Sequence, residues 1–409
     1  MKVLIGTPCL LNGGTEVQTL SLVQALVKAG YYPIVSCYFE WDPIMVERFK
    51  QAGAKVFLFS KDGKRPIGIL NTIKFLKKNF KKIIKDEKPD VAHVQYMAPG
   101  ALPILVLKSL GIKKILATTH TDANIYGNSG LRFIRFLTNH ILSGFQTITL
   151  KAEEGYFGSS SLFNGKIGKH FTIYNSLPSH ISIRQTPKSF SDKITIGVVS
   201  RLERIKGMDL IVLAFAKVLE KLHHPSPSPI QPYCNPSILP YSTPNTSILQ
   251  PCTPPNGGSE ALTLNLLVIG DGSLLPEMKR QAEELGIKDF VTFAGRKTQD
   301  ELQDYYDSVD ILLMPSRSEG FGLTAIEGMA RGCVPIVANT GGLPEVVTPG
   351  SGLLHNPEDI DDLADKILEV IQNPKKLKEL SQGAIERAKL FSFENYKSNI
   401  ASLYSLLTK

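Results

Sequence analysis

The strongest constraint in this 409-residue sequence is its rhythm of short apolar runs and longer amphipathic stretches. In the first half the runs read KVLIG, YPIVSCYF, AKVFLF, DVAHVQ, KKILATTH, TITL and FTIYN. In the second half they read KITIGVVS, LTLNLLVIG, FVTFAG, DILLMP, VPIVAN and a short GLLH. Near-continuous apolar runs separated by helical patterns mark strands buried on both faces, in parallel sheets covered by helices. A chain this long exceeds one ordinary hydrophobic core. The expected fold is therefore α/β, with two doubly wound, Rossmann-like domains in series. The polar, aperiodic stretch from Arg184 to Lys193, around Pro187, reads as an interdomain linker. It places the domains at 1–185 and 193–390. The last helix, within 391–409, is expected to pack back on the first domain, a step the periodicity does not show.

One segment breaks the rhythm. Residues 223–260 hold ten prolines and a single charged side chain. Proline at this density removes amide donors and blocks helix and ladder alike, so a disordered surface insertion is expected. The five cysteines are scattered and form no C-x-x-C pair, which argues against a disulfide framework or a zinc site. No run approaches the roughly 18 apolar residues of a membrane span. A cytoplasmic protein is expected.

Ligands of open α/β sheets bind at the carboxyl ends of the strands. Three loops there carry suitable residues. The first, TPCLLNGGTEVQ, lets a ligand approach the backbone at Gly13 and Gly14, with Thr15 as a helix cap. It is neither G-x-G-x-x-G nor a P-loop, so a dinucleotide fingerprint is absent. A structural turn and a binding loop both remain open for it. The second loop, VVSRLERIKGMD, sets Arg201 and Lys206 before a helix, which suits a diphosphate or a solvated basic loop equally. The third is SRSEGFGLTAIEG, 316–328. Its Gly-Phe-Gly turn opens a helix, where the amides of Gly322, Leu323 and Thr324 are free for phosphate oxygens. Glu319 precedes the turn and Glu327 lies inside the helix. The plain alternative is that both carboxylates simply favour the positive end of a helix.

Taken together, GGTE, SRLERIKG, GDGSLL, SRSEGFGLTAIEGMARG and GGLPEVV resemble the retaining glycosyltransferases of the GT-B fold, group 1 or GT4. The resemblance implies two Rossmann-like domains facing each other across a cleft. It implies that Arg201 and Lys206 neutralise the donor's diphosphate. Glu319 would contact the donor sugar as nucleophile or stabiliser, and Glu327 would hold the nucleotide ribose. Gly13 and Gly14 would face donor phosphate and acceptor, and His120 the reacting face of the sugar. Gly270 to Gly272 and the RKTQDEL loop would lie beside the base. The donor is expected to be a UDP- or GDP-sugar, and the acceptor a glycan or a lipid-linked glycan. No metal is expected: EDIDD, 358–362, has the letters of a metal-binding D-x-D but reads as a helix N-cap. Retention by double displacement through Glu319 and by front-face attack both stay open. An epimerase or sugar synthase of the same fold, and a non-catalytic sugar-nucleotide-binding protein, are the rival readings.

The net charge of +8 is concentrated: residues 61–88 hold ten Lys or Arg and three Asp or Glu. In GILNTIKFLKKNFKKIIKDEK, Ile69, Ile73, Leu76, Phe80 and Ile83 recur at helical spacing. Lys74, Lys77, Lys78, Lys81, Lys82 and Lys85 line another side. A solvated lysine face is the ordinary reading. Docking on the anionic inner face of a membrane is the functional one. Nucleic acid is not expected, because no arginine or aromatic base-reading set accompanies the lysines.

Overall fold

The computed structural model describes residues 1–95, 97–223 and 262–408. The expected proline-rich insertion, 223–260, lies outside them apart from its first residue. Two parallel sheets form. The first contains β1 (Lys2–Thr7), β2 (Tyr32–Cys37), β3 (Lys55–Leu58), β4 (Val91–Gln95), β5 (Lys114–Thr118), β6 (Gly144–Thr147) and β7 (His170–Thr172). Its order is β3-β2-β1-β4-β5-β6-β7. The second contains β8 (Lys193–Val199), β9 (Thr263–Ile269), β10 (Val291–Gly295), β11 (Ile311–Met314), β12 (Val334–Ala338) and β13 (Leu353–His355), ordered β10-β9-β8-β11-β12-β13. Both sheets are doubly wound, as the alternating pattern predicts.

Strand alternation explains why helices cover both faces. Val3 and Ile5 of β1 pack into one core and Leu4 into the opposite one, all essentially inaccessible to water. The last helix, Phe393–Thr408, completes the first of these cores with Tyr396, Ile400, Leu403 and Tyr404. The Tyr404 hydroxyl lies 2.6 Å from Nδ1 of His93, whose Nε2 is 2.7 Å from the Thr118 hydroxyl. Burial pushes the His93 pKa down to about 3, so this ring is a neutral structural group.

In each sheet the strand order reverses once, between β1 and β4 and between β8 and β11. A crevice opens at such a reversal, beyond the carboxyl ends of the strands. The Gly13 loop follows β1, the Arg201 loop follows β8, and the Glu319 loop follows β11. All three candidate loops therefore sit at a switch point.

The structure corrects two local expectations. The run TITL is not a strand: β6 ends at Thr147, and Thr149 caps the helix Leu150–Phe157 through the Ala152 amide at 3.2 Å. Threonine suits both roles, so the apolar run alone misplaced the boundary. Ile69 belongs to no buried face. It is 67% exposed at the start of the helix Ile69–Glu87, whereas Leu76, Phe80 and Ile83 are buried. Helical spacing defines a stripe but not how far the packing partner extends along it.

The stretch from Arg184 to Lys193, expected as an interdomain linker, is held by a buried side chain. Lys188 is buried, and its ammonium donates to the carbonyls of Tyr306, at 2.7 Å, Asp307, at 2.9 Å, and Val309. These carbonyls end the helix Leu302–Ser308, where a cation is favoured. Lys188→Met is expected to leave buried carbonyls unpaired and to destabilise the second domain by about 1–3 kcal/mol. A urea melt followed by far-UV circular dichroism measures this, and an unchanged midpoint contradicts it.

Candidate functional site

The two sheets turn their switch points toward one cleft of about 1120 Å³. Gly13, Gly14 and His120 line it from the first domain. Arg201, Lys206, Glu319, Gly322, Leu323, Thr324 and Glu327 line it from the second. Every residue singled out from the motifs is thus brought to one place.

The loop that carries Glu319 is held by backbone contacts that only glycine permits. A Cβ on Gly320 would lie 2.5 Å from the His120 carbonyl oxygen. Gly341 has φ +54, and a Cβ there would lie 1.9 Å from the Glu319 carbonyl oxygen. The Gly342 amide donates to that same oxygen at 2.9 Å. The turn closes at Gly322, with φ +101, and the helix Leu323–Ala330 begins. Among the described residues no side chain caps this helix, so its first amides face the cleft with the positive end of the dipole.

On the facing wall, a Cβ on Gly14 would lie 3.4 Å from the Leu323 side chain, so the glycine loop and this helix start are direct neighbours. Gly13, not Thr15, is the N-cap of the helix Gly14–Lys28, and Thr15 sits inside its first turn. Glu16 lies beside this cap. Its carboxylate folds back beneath Gly13, where a Cβ would be 2.6 Å from Oε2, and it accepts the Cys9 thiol at 2.9 Å.

Lys206 and Glu319 form an ion pair at 2.7 Å, both about one-fifth exposed. Arg317 brings the two loops to this distance. Its guanidinium takes Asp209 with two nitrogens at 2.6 and 2.9 Å, and its amide donates to the Ile205 carbonyl at 3.0 Å. Arg201 is exposed in the cleft. Among the described residues its guanidinium makes no hydrogen bond or ion pair.

Glu327 lies at the buried floor of the cleft, where its Oε2 accepts the Tyr306 hydroxyl at 2.6 Å. Burial pushes its pKa up from 4.5 to about 7, against the opposing pull of that hydrogen bond. His120 places Nε2 3.0 Å from the Gln95 side-chain oxygen. Burial lowers its pKa to about 4, so the ring is neutral near pH 7.

The motifs left several participants unassigned. Asn175, buried just after β7, also lines the cleft. Its signal was positional, since IYNS ends an apolar run at the same sheet edge. Tyr306 gave no signal, because DYYDS reads as an ordinary amphipathic helix. The residues Gly270, Gly272, Arg296 and Lys297 line the far end of the cleft. Gly270, at φ +141, lies against Ser200, so a Cβ would be 1.8 Å from that carbonyl oxygen. Among the described residues no group of three His, Cys, Asp or Glu side chains is placed to hold a metal ion. In the EDIDD stretch, Asp359 caps a helix through the Asp362 amide at 2.9 Å, and Asp361 pairs with Lys217.

Comparison with known proteins agrees with this fold. Residues 12–149 match the model of glycosyltransferase family 4, and residues 259–387 that of glycosyl transferases group 1. The two matches together span more than half of the chain. This protein belongs to the group 1 glycosyltransferases. An uncharacterized glycosyltransferase of Methanocaldococcus jannaschii is 27% identical over 335 residues, covering 80% of this chain and 78% of that protein. A D-inositol 3-phosphate glycosyltransferase of Streptomyces bingchenggensis is 39% identical over 141 residues, covering 33% of this chain and 30% of its own length. Among solved structures, Anabaena HepE in complex with UDP and glucose superposes with a TM-score of 0.72 at 18% identity, covering 99% of both chains. Sucrose-phosphate synthase from Thermosynechococcus elongatus superposes at 0.71, with 20% identity, over 100% of this chain and 99% of that one. These likenesses establish the GT-B fold for this group 1 enzyme.

The raised pKa of Glu327 has a consequence for stability. Its folded-state pKa lies above its unfolded value, so the folded state holds the proton more tightly. Stability from this group is present at low pH and is lost as pH rises toward about 7. Glu327→Gln keeps an acceptor for Tyr306 and removes the titration. The melting temperature of the variant minus that of the wild type is expected to grow between pH 5 and pH 8. A difference that stays flat over this range refutes the assignment.

Proposed function

We propose that this glycosyltransferase is a retaining, metal-independent enzyme. It moves a sugar from a nucleoside-diphosphate sugar to a glycan or lipid-linked acceptor in the synthesis of cell-surface polysaccharide or glycolipid. The observation that carries the reading is the Lys206–Glu319 pair at the mouth of an uncapped helix N-terminus, with Glu327 at the cleft floor. Anionic phosphate oxygens would take the amides of Leu323 and Thr324 and the charges of Arg201 and Lys206. Glu319, released from Lys206, would face the sugar. Glu327 keeps Oε2 on Tyr306 and offers Oε1 to a ribose hydroxyl. Solved structures of similar fold hold UDP and UDP-glucose, which supports a UDP-sugar as the donor.

The bond from the sugar C1 to the phosphate oxygen breaks, and its electron pair stays on the leaving diphosphate. The acceptor hydroxyl forms the new bond to C1 on the same face, and its proton passes to a phosphate oxygen. Positive charge builds on the sugar ring and negative charge on the diphosphate. Arg201, Lys206 and a helix dipole would meet the negative charge without a divalent ion, which supports metal independence. Arg201→Ala and Lys206→Ala are each expected to raise the barrier by about 2–4 kcal/mol. Glu319→Ala is expected to abolish transfer while leaving the melting temperature unchanged. Near-normal turnover by Glu319→Ala, measured as nucleotide release from a panel of UDP-, GDP- and ADP-sugars, sinks the reading.

We propose further that the enzyme docks on an anionic inner membrane face through the helix Ile69–Glu87. All six lysines, from Lys74 to Lys85, are exposed. Beside them Ile67, Ile69 and Leu70 are 89%, 67% and 74% exposed, a small apolar tip next to a basic face. Among the described residues no helix is long and apolar enough to cross a membrane. The protein is expected to sediment with vesicles containing phosphatidylserine and to stay in the supernatant with neutral vesicles. A variant with the six lysines changed to Gln is expected to lose this binding. Equal sedimentation of variant and wild type rules the surface out.

A further inference from the structure

The helix Leu150–Phe157 belongs to the first domain, and its N-terminus points at the second. Its own Thr149 satisfies the Ala152 amide. The two preceding amides are satisfied from across the cleft. Glu345 places Oε1 2.7 Å from the Leu150 amide and Oε2 3.1 Å from the Lys151 amide. One carboxylate thus completes the cap of a helix almost two hundred residues away in sequence. The same carboxylate stands beside the Tyr174 hydroxyl of the first domain. Burial and this negative charge push the phenol's pKa up.

Glu345 is also tied to the site. It stands four residues after Gly341, whose backbone lies against the Glu319 carbonyl. Gly342 donates to that carbonyl, and a Cβ on it would lie 2.8 Å from the Thr149 side chain. From the other side Arg387 fixes this short segment, donating to the Glu345 carbonyl at 2.6 Å and the Val346 carbonyl at 3.2 Å. The segment 341–346 is therefore a rigid link with two ends. One end touches the backbone of Glu319, and the other grips a helix of the opposite domain.

We infer that Glu345 is a positioning residue: by capping the first-domain helix Leu150–Phe157 it holds the cleft closed and sets Glu319 in register with His120. The contact exists only while the domains face each other. When they part, the carboxylate and the two amides return to water, and the Gly320 loop leaves the His120 carbonyl. Most of the nucleotide's proposed contacts are separate from this clasp, because Arg201, Lys206, Leu323 and Glu327 all lie on the second domain. The inference rests on the catalytic placement of Glu319 proposed above.

The test uses the full chain and four variants: Glu345→Ala, Glu345→Gln, Leu150→Pro and the double variant Glu345→Ala with Leu150→Pro. Proline is tolerated at the first position of a helix, and Thr149 is already extended before it. Leu150→Pro therefore deletes one donor of the clasp and leaves Glu345 in place. Turnover is read with whichever sugar of a UDP-, GDP- and ADP-sugar panel the wild type uses fastest. UDP affinity is read by calorimetry, and amide exchange by mass spectrometry. Glu345→Ala and Leu150→Pro are each expected to lower kcat on the order of tenfold to a hundredfold, the scale of a misplaced reacting group. UDP affinity is expected to stay within about twofold, since no uniform binding contact is lost. Exchange is expected to rise at 150–152 and at 318–322 together.

The double variant is expected to fall no lower than the worse single variant, because both remove one shared contact. Glu345→Gln, which keeps one acceptor oxygen, is expected to retain more activity than Glu345→Ala. The inference is overturned if Glu345→Ala keeps full kcat, if the single effects multiply in the double variant, or if UDP affinity falls in step with kcat. It is overturned equally if exchange rises at 150–152 and not at 318–322. That last readout does not depend on turnover, so failure of the clasp is told apart from failure of Glu319 as a catalytic group, which Glu319→Ala reports alone.

Discussion

Close backbone packing around Glu319 is the constraint on which the rest of the site depends. The peptide of Glu319 and Gly320 lies between the His120 carbonyl of one domain and the Gly341–Gly342 turn of its own. These approaches leave no room for a Cβ at Gly320, Gly341 or Gly342. Two peptide groups can meet this closely only where side chains are absent, and the geometry then has little freedom to relax. The backbone position from which the Glu319 side chain reaches Lys206 is thereby fixed.

Charge is arranged around that fixed point. Lys206 neutralises Glu319 at 2.7 Å, and Arg317 ties both loops together through Asp209 and the Ile205 carbonyl. An anion entering the cleft would meet the exposed Arg201 and compete with Glu319 for Lys206. Glu327 illustrates the opposite treatment. Burial over Tyr306 lifts its pKa to about 7, which leaves a carboxyl able to accept or donate near neutral pH. Two glutamates eight positions apart thus have different environments, one paired with a cation and one desolvated.

The strands, the glycine turns and the cationic and acidic motifs were legible because each follows from short-range rules. An apolar run marks a buried strand, a Gly-Phe-Gly marks a turn with unusual φ, and Arg201 with Lys206 marks two cations before a helix. The misreadings share a different origin. Thr147 to Leu150 looked like a strand because β-branched residues serve strands and caps alike. Thr15 looked like a cap, but the helix already begins at Gly14. Lys188 looked like one residue of an interdomain linker, since nothing local announces three carbonyls gathered by a distant helix end. Tyr306 and Asn175 reach the site from separate segments, and their neighbours in sequence are not their neighbours in space.

Local pattern by itself determined the two doubly wound sheets, the loops at their carboxyl ends and the residue types those loops offer. Periodicity and backbone conformation are properties of a few consecutive residues, so they are written in the chain directly. Tertiary structure alone decided which groups meet across the cleft: Glu319 with Lys206, Glu327 with Tyr306, Gly320 with His120, and Glu345 with the amides of Leu150 and Lys151. Those pairings depend on how two separate cores orient their sheet edges. That orientation is set by many weak contacts summed over the whole molecule, and no short stretch of sequence contains it.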